Sequence, residues 1–229
     1  MSSNDSQLTS KLLTAGVIAG PFFIALSLLQ AFTREGFDWI RHPASLLSLG
    51  DLGFIQIANF VITGMLFIAF AVGLKRVLTA GVGRKWLSPL FIVVGIAFIL
   101  GGVFVADPAF GFPPGTPEGM PKTTSWHSII HGFAPVIGSL AMSAALLIFA
   151  RRLWKQGRRS ASIVTILVVI VSFVLSALPQ VTADWEKGEF NFLPLWIGVA
   201  LAYCYLAALV SNLKGEWAGG VAHNEQLAA

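Results

Sequence analysis

Residues 54–74 read FIQIANFVITGMLFIAFAVGL, a run of 21 amino acids without Asp, Glu, Lys or Arg. A helix rises about 1.5 Å per residue, so this run can cross the roughly 30 Å of hydrocarbon in a bilayer. Lys75 and Arg76 come directly after this run. The stretch therefore predicts a membrane-spanning helix that ends at the lipid–water boundary.

Five further charge-free stretches lie along the chain. The six candidate spans are residues 12–32, 54–74, 86–106, 127–150, 160–180 and 192–210. Lipid offers no hydrogen-bond partner for an open backbone, so each stretch must be a helix. The predicted fold class is all-α, a polytopic membrane bundle of six transmembrane helices.

The composition excludes the common soluble classes. Of the 229 residues, 55% are hydrophobic and 11% are charged, and the mean hydropathy is +0.77. Soluble domains carry about 25% charged residues, so an ordinary cytosolic enzyme, a disordered chain and a secreted scaffold do not fit. The single cysteine, Cys204, excludes a disulfide framework within the chain and a cysteine-based zinc site.

The net charge is +4, and the basic residues are unevenly distributed between the two sides of the membrane. Eleven of the fifteen basic residues fall in the tails and in the short loops on the same side as the tails. The remaining four are Arg34, Arg41, Lys122 and Lys187. Basic residues accumulate on the cytoplasmic side, so we expect a multi-pass protein of the cell membrane with both termini in the cytoplasm. The charge thus reports topology, and nucleic acid is not an expected partner.

These boundaries predict one domain. Residues 12–212 form a single six-helix membrane domain between cytoplasmic tails at 1–11 and 213–229. Gly16 and Gly20 stand four apart on the first span, a spacing that lets helices approach closely. The pair is either the contact face of a homo-oligomer or a chance pattern in a glycine-rich chain.

The first outer loop, residues 33–53, predicts a short interfacial helix over 43–49. Pro43 suits a first helical position and Gly50 suits a helix end. Asp51 is then expected to be the N-cap of the second span. Ser45 is a candidate catalytic nucleophile, although capping is the commoner role of a serine.

The second outer loop, residues 107–126, holds five prolines and is predicted to be a rigid cap without helix or sheet. It opens on Asp107 and leads into His127 and His131. Two histidines four residues apart on a helix project from the same face. That spacing allows both to bind one metal ion.

Zinc takes at least three protein ligands, and Asp107 and His42 are the nearest further candidates by topology. The sequence therefore suggests a zinc site made of His127, His131, Asp107 and His42, with Ser45 and Asp107 as candidate catalytic groups. Two alternatives stay open. The same residues cap helix ends and bond loop backbone, or they form a metal-free binding or acid–base site.

Polar side chains inside the spans concentrate in their outer halves. Gln56 and Asn59 are three apart on the second span, while Gln30 and Gln180 end the first and fifth. Such groups tend to face the bundle interior or a wet cavity. They either line an outward-open cavity together with the histidines or form hydrogen bonds between helices.

An ordered set of residues resembles a known family of bacterial and archaeal membrane proteins, domain of unknown function 998. The set is His42-Pro43, Ser45, Ser48-Leu49-Gly50, Gln56, Asn59-Phe60, Gly64, Ala106-Asp107-Pro108 and His131-Gly132. The resemblance covers most of residues 10–212. It implies a six-helix integral membrane fold and no assigned activity.

The order of motifs is also similar to that of the alkaline ceramidase and adiponectin-receptor superfamily of membrane hydrolases. Those enzymes carry Ser and His, then Asp, then HxxxH around zinc. Here the order is His42 and Ser45, Asp107, then His127 and His131. That superfamily has seven spans with HxxxH on the last, whereas this chain has six predicted spans with HxxxH on the fourth.

Three functional hypotheses follow. The first is a non-enzymatic integral membrane protein whose polar His/Asp cluster at the outer face is structural. The second is a zinc-dependent membrane hydrolase acting on a lipid or another amphiphile. The third is a small-molecule binder or carrier that uses Gln56 and Asn59. All three share the lipid bilayer as a partner.

Overall fold

The structure is a computed structural model that describes residues 3–184 and 189–228. These residues contain helices and no β-strand. The α-helices are α1 (Ser3–Thr33), α2 (Gly53–Val77), α3 (Leu87–Val103), α4 (Trp126–Lys155), α5 (Arg159–Val181) and α6 (Leu193–Ala228). A short 3₁₀ helix covers Ala44–Ser48. Lys187, counted above for the charge distribution, lies outside the described residues.

Each predicted span falls on one helix. All of these helices except α3 are long and apolar enough to cross a membrane. α3 has 17 residues, a length of about 25 Å, slightly less than the hydrocarbon thickness. The chain is therefore an all-helical, multi-pass integral membrane protein.

The helices pack in chain order and close into a ring. Each packs against its neighbours in sequence, and α6 packs back against α1. We call the end that carries residues 34–52 and 104–125 the loop end. The opposite end, with the turns 78–86 and 156–158, is the basic end. Buried aromatic rings fill the interior, where Phe98 lies edge-on to Phe23 with ring centroids 5.0 Å apart.

Glycines allow the closest helix contacts. A Cβ added to Gly64 on α2 would lie 2.5 Å from the carbonyl oxygen of Gly95 on α3, and one added to Gly95 would lie 2.6 Å from that of Gly64. The two backbones therefore touch directly at this crossing. Small residues commonly produce such close approach in membrane bundles.

Gly16 and Gly20 serve the same purpose within one chain. A side chain at Gly16 would collide with the ring of Phe70 on α2, and one at Gly20 would collide with Tyr203 on α6. Both glycines face the inside of the bundle, so the interpretation of this pair as a dimer face is wrong. A homo-oligomer stays a prediction without that support.

The first loop differs from its prediction in two ways. Its helix is a 3₁₀ helix of five residues, shorter than the predicted 43–49, and Leu46 and Leu47 on it are buried. Asp51 is not the N-cap of α2. The N-cap is Leu52, whose side chain makes no capping hydrogen bond. The chain turns at Gly50, which has a φ of 70°, and two further residues precede the helix.

Candidate functional site

Three segments fold together at the loop end and close it with a cap. They are residues 34–52, residues 104–125 and the beginning of α6. With Ala31 of α1, and with Phe192 directly before α6, they share one buried core: Ala31, Leu46, Leu47, Ala109, Phe110, Phe112, Phe192 and Trp196. The proline-rich second loop is thus one part of a packed cap, and half of the buried side chains in its core are aromatic.

His42 connects the three segments of the cap through hydrogen bonds. Its side chain is almost fully buried, its Nδ1 accepts from the backbone N–H of Asp38 at 2.9 Å, and its Nε2–H donates to the carbonyl of Phe110 at 2.9 Å. Its own carbonyl accepts from the indole N–H of Trp196 at 3.1 Å. Burial lowers the pKa of His42, and the hydrogen bond to Phe110 only partly offsets that effect. Both ring nitrogens are bonded, and the lowered pKa favours the neutral form of the ring.

Asp107 holds the beginning of α4. Its Oδ2 accepts from the backbone N–H of Ser125 and its Oδ1 from the Ser125 hydroxyl, each at 2.7 Å. Ser125 is the N-cap of α4 and accepts in turn from the backbone N–H of Ser128 at 3.2 Å. Burial raises the pKa of Asp107, but the hydrogen bonds from Ser125 outweigh it, and the net pKa is lowered.

His127 and His131 both bond to the end of α3. His127 donates its Nδ1–H to the carbonyl of Val105 at 2.7 Å. His131 donates to the carbonyls of Phe104 at 2.7 Å and Gly101 at 3.0 Å. Carbonyls at a helix end have no partner within the helix, so His131 satisfies two of them from the neighbouring helix, while His127 bonds the segment just after α3. This is the capping role that the sequence left open.

The four candidate metal ligands do not form one cluster. Across the described residues, no three His, Cys, Asp or Glu side chains come together as a group that could hold a metal ion. His42 lies in the cap at Phe110, whereas His127, His131 and Asp107 lie where α3 meets α4. Both ring nitrogens of His42 and both carboxylate oxygens of Asp107 are already bonded.

Ser45 lies half-buried in the 3₁₀ helix. The hydrogen bonds of the nearest candidate base, His42, go to Asp38 and Phe110. The carboxylate of Asp107 is bonded to Ser125. Neither acid–base candidate is therefore aimed at the Ser45 hydroxyl, and a nucleophile–base pair is not assembled here.

Gln56 and Asn59 do come together, at the contact of α1 and α2. Gln30 on α1 donates its Nε2–H to Gln56 Oε1 at 2.7 Å, and Gln56 donates its Nε2–H to Ser27 Oγ at 2.9 Å. Asn59 donates its Nδ2–H to the carbonyl of Phe23 and to Ser27 Oγ, each at 3.1 Å. We call Ser27, Gln30, Gln56, Asn59 and Thr63 the amide cluster.

The amide cluster contains oxygen atoms that receive no hydrogen bond from its donors. Every member is at most 4% exposed. Within the described part of the protein, Gln30 Oε1, Asn59 Oδ1 and Thr63 Oγ1 have no hydrogen-bond partner. A buried polar atom without a partner costs about 1–3 kcal/mol, so a bundle that only needed to hold two helices together would gain by replacing these groups.

The sequence pattern contained part of this cluster. Gln56, Asn59 and Thr63 are spaced i, i+3 and i+7 on one helical face, and Ser27 and Gln30 are spaced i, i+3 on α1. Ser27 and Thr63 were missed because single hydroxyls are common in spans. Gln180 was expected nearby but is exposed at the end of α5. The members of the cluster are buried and not open to solvent.

Comparison with known protein families gives a match over most of the chain. A family model described as a protein of unknown function (DUF998) matches residues 17–212. The match includes all residues of the amide cluster and of the cap. No curated protein and no solved structure matches the chain.

Proposed function

The chain belongs to the DUF998 family of proteins of unknown function, and we propose that it binds a small, uncharged hydrogen-bonding molecule at the amide cluster. The observation that carries this proposal is the set of three buried oxygen atoms without a partner in the described structure, Gln30 Oε1, Asn59 Oδ1 and Thr63 Oγ1. A ligand that donates hydrogen bonds would satisfy them.

The chemistry of the cluster limits the ligand. Its side chains are amides and hydroxyls, and α2 carries no charged residue between Gly53 and Leu74. An ionic ligand would have no countercharge in a medium of low dielectric constant, where an unpaired charge is costly. Neutral molecules with hydroxyl or amide groups therefore fit best, and the cap above the cluster would separate them from solvent.

We place the protein in the cell membrane with six spans, counting α3 as the third. Basic side chains line the end with Lys75, Arg76, Arg152 and Arg158, which supports a cytoplasmic basic end and cytoplasmic termini. The domain is then residues 12–212, with tails at 1–11 and 213–229. The loop end, with its cap, faces outward.

Cysteine labelling tests this orientation. In a Cys204→Ala background, Thr79→Cys reports on the basic end and Thr123→Cys on the loop end, since both threonines are exposed. A membrane-impermeant maleimide added to intact cells should label the Thr123→Cys variant and leave the Thr79→Cys variant unlabelled. The reverse pattern would overturn the orientation.

The zinc-hydrolase alternative has one favourable observation. His127 and His131 both donate Nδ1–H to backbone carbonyls, an arrangement that commonly stands behind ligating histidines. It lacks a third ligand, because His42 and Asp107 are bonded elsewhere. We therefore rank it below ligand binding at the amide cluster.

The binding proposal has a specific test. Purified protein is screened for thermal stabilisation with neutral polyols, sugars and amides, and compounds that stabilise it are tested on Gln30→Met and Thr63→Val. These near-isosteric changes remove orphan oxygens, so the ligand-induced shift in Tm should be lost in both. Gln180→Leu, an exposed glutamine on α5, is the control and should keep the shift.

Two results would count against binding. One is a full screen without any stabilising compound, combined with vesicles that show no uptake of the same molecules. The other is a stabilising compound whose effect survives both variants, since its site would then lie elsewhere.

A further inference from the structure

Ser48 carries a buried hydroxyl outside the amide cluster. It ends the 3₁₀ helix and is 5% exposed. Its Oγ has no hydrogen-bond partner in the part of the chain that the structure describes. Buried polar atoms are almost always bonded, so this oxygen raises the same question as the orphan oxygens of the amide cluster.

Ser48 lies next to the amide cluster, on the side of the loop end. A Cβ added to Gly53, the first residue of α2, would collide with the Ser48 carbonyl group. The end of the 3₁₀ helix therefore lies on the first turn of α2. Gln56 is three residues further along α2, on the same buried face as Gly53. Ser48 is thus about one helical turn, or about 5 Å, nearer the loop end than Gln56.

The end of α1 holds the same segment from the other side. Arg34 comes directly after α1, four residues beyond Gln30. Its guanidinium donates to the carbonyl of Leu47 at 3.1 Å and to that of Leu49. These are the residues on either side of Ser48, so the two helices that form the amide cluster also fix the position of this serine.

The orphan oxygens then follow one another along the contact of α1 and α2. We call Ser48 Oγ, Gln30 Oε1, Asn59 Oδ1 and Thr63 Oγ1 the oxygen file. Ser48 is its outermost member and Thr63 its innermost. Between Gly53 and Thr63, α2 rises about 15 Å, which is about half the hydrocarbon thickness of a bilayer.

Phenylalanines close the inner end of the oxygen file. Phe67 and Phe70 lie one and two turns beyond Thr63 on α2, and both are fully buried. Phe91 of α3 packs on both, with ring centroids 6.1 Å and 4.7 Å away. A polar molecule that moved past Thr63 would lose its hydrogen bonds in an apolar core, which is costly. The loop end is therefore the favourable side of entry.

We propose that Ser48 is the outermost contact of the ligand site and that this site opens at the loop end only. The inference rests on the ligand binding proposed above and adds the direction of entry. A neutral hydrogen-bond donor reaches Ser48 first and Thr63 last, and it leaves by the same side. The protein then acts as a receptor for that molecule and not as a carrier across the membrane.

Cysteine labelling of the full-length protein in lipid vesicles tests the direction of entry without a known ligand. In a Cys204→Ala background, Ser48→Cys, Thr63→Cys and Ser172→Cys each receive methyl methanethiosulfonate, a small neutral thiol reagent. Ser172 is the matched control, because it is 8% exposed and its Oγ also lacks a partner in the described structure, but it lies on α5. The thiolate is the reactive form and needs water around the sulfur. We expect Ser48→Cys to react fastest, Thr63→Cys to follow, and Ser172→Cys to react about tenfold more slowly than Ser48→Cys.

Two serines of the 3₁₀ helix provide a matched pair for blocking the entry. Ser48→Val, added to the Thr63→Cys protein, replaces a polar contact by a larger apolar side chain and should slow the labelling of the cysteine several-fold. Ser45→Val changes a half-buried serine one turn earlier in the same helix and should leave that rate almost unchanged. Tm is measured for both, so that a general loosening of the cap is detected.

Several results would overturn the proposal. Thr63→Cys that reacts faster than Ser48→Cys, or at a rate that Ser48→Val does not change, would show entry from another side. Equal rates for Ser48→Cys and Ser172→Cys would show that the reagent arrives through lipid.

The ligand site and its entry can fail separately. The expected labelling order, together with a ligand screen that stabilises nothing, would support the entry at Ser48 and refute the ligand. A compound whose stabilising effect depends on Gln30 and Thr63 but is fully retained in Ser48→Ala would support the ligand and refute the role of Ser48.

Discussion

Gln30 of α1 donates its Nε2–H to Oε1 of Gln56 on α2, and the two atoms are 2.7 Å apart. The bond lies inside the bundle, in the half nearer the loop end. The same Gln56 oxygen also accepts from Asn59 Nδ2 at 3.1 Å. Two amide donors therefore share one oxygen, while the oxygens of Gln30 and Asn59 receive none from the described residues. This imbalance distinguishes the cluster from an ordinary interhelical bond and leads to the first prediction.

Two buried threonines should respond in opposite directions to the loss of their hydroxyls. Thr63 and Thr165 are both fully buried. Thr165 Oγ1 bonds to the Ala161 carbonyl and the Tyr205 hydroxyl, each at 2.8 Å, whereas Thr63 Oγ1 has no partner in the described structure. Thr63→Val should raise Tm, and Thr165→Val should lower stability by about 1 kcal/mol. Thermal unfolding in detergent measures both, and a fall in Tm for Thr63→Val would show that its hydroxyl is satisfied.

Adding a methyl group to Gly64 should separate α2 from α3. The new Cβ would sit 2.5 Å from the Gly95 carbonyl oxygen, a backbone atom that cannot move alone. We expect Gly64→Ala to destabilise the protein by about 1–3 kcal/mol through overpacking. Gly132→Ala is the matched control in α4, because nothing lies within 4 Å of its Cβ. Alanine is the better helix former, so Tm should hold or rise there, and equal losses would refute the close crossing.

Acid should loosen the cap through His42. Burial lowers the pKa of this histidine below its ordinary 6.5, so the unfolded chain takes up the proton first as the pH falls. The free energy of unfolding is therefore fully retained above about pH 6.5, declines below it, and levels off once the folded protein is protonated.

His42→Gln tests this pH dependence. The glutamine amide can still donate to Phe110 but does not titrate. The fall in Tm between about pH 8 and about pH 5 should be smaller in the variant than in the unmodified protein. Superimposable pH profiles would mean that His42 takes no part.

Zinc should leave the unfolding temperature unchanged. Both nitrogens of His42 and both oxygens of Asp107 are bonded within the protein, so coordination would cost those bonds. His127→Ala and His131→Ala should lower Tm even in the presence of a chelator. The first leaves the Val105 carbonyl without its donor and the second those of Gly101 and Phe104. Zinc that copurifies with the protein and is lost from both variants would restore the hydrolase hypothesis.

The apolar helices could be predicted because a long run without charged residues is visible in the sequence alone. The i, i+3 spacing likewise placed Gln56 and Asn59 on one face. The partners of the histidines could not be predicted, since backbone carbonyls carry no sequence signature and every residue has one. The same limit applies to Gly16 and Gly20, whose spacing shows that something packs closely without showing that it is Phe70 or Tyr203 of the same chain.

The contact between α1 and α6 also sets an order of assembly. A ribosome delivers α1 to the membrane first and α6 last, yet Gly20 packs on Tyr203 and Thr14 accepts from Lys214 at 2.7 Å. Until α6 is inserted, the side of α1 that carries Thr14 and Gly20 lacks these contacts. The closed ring can therefore form only after synthesis of α6, and truncated chains should be substrates for membrane proteases even though their earlier helices are inserted.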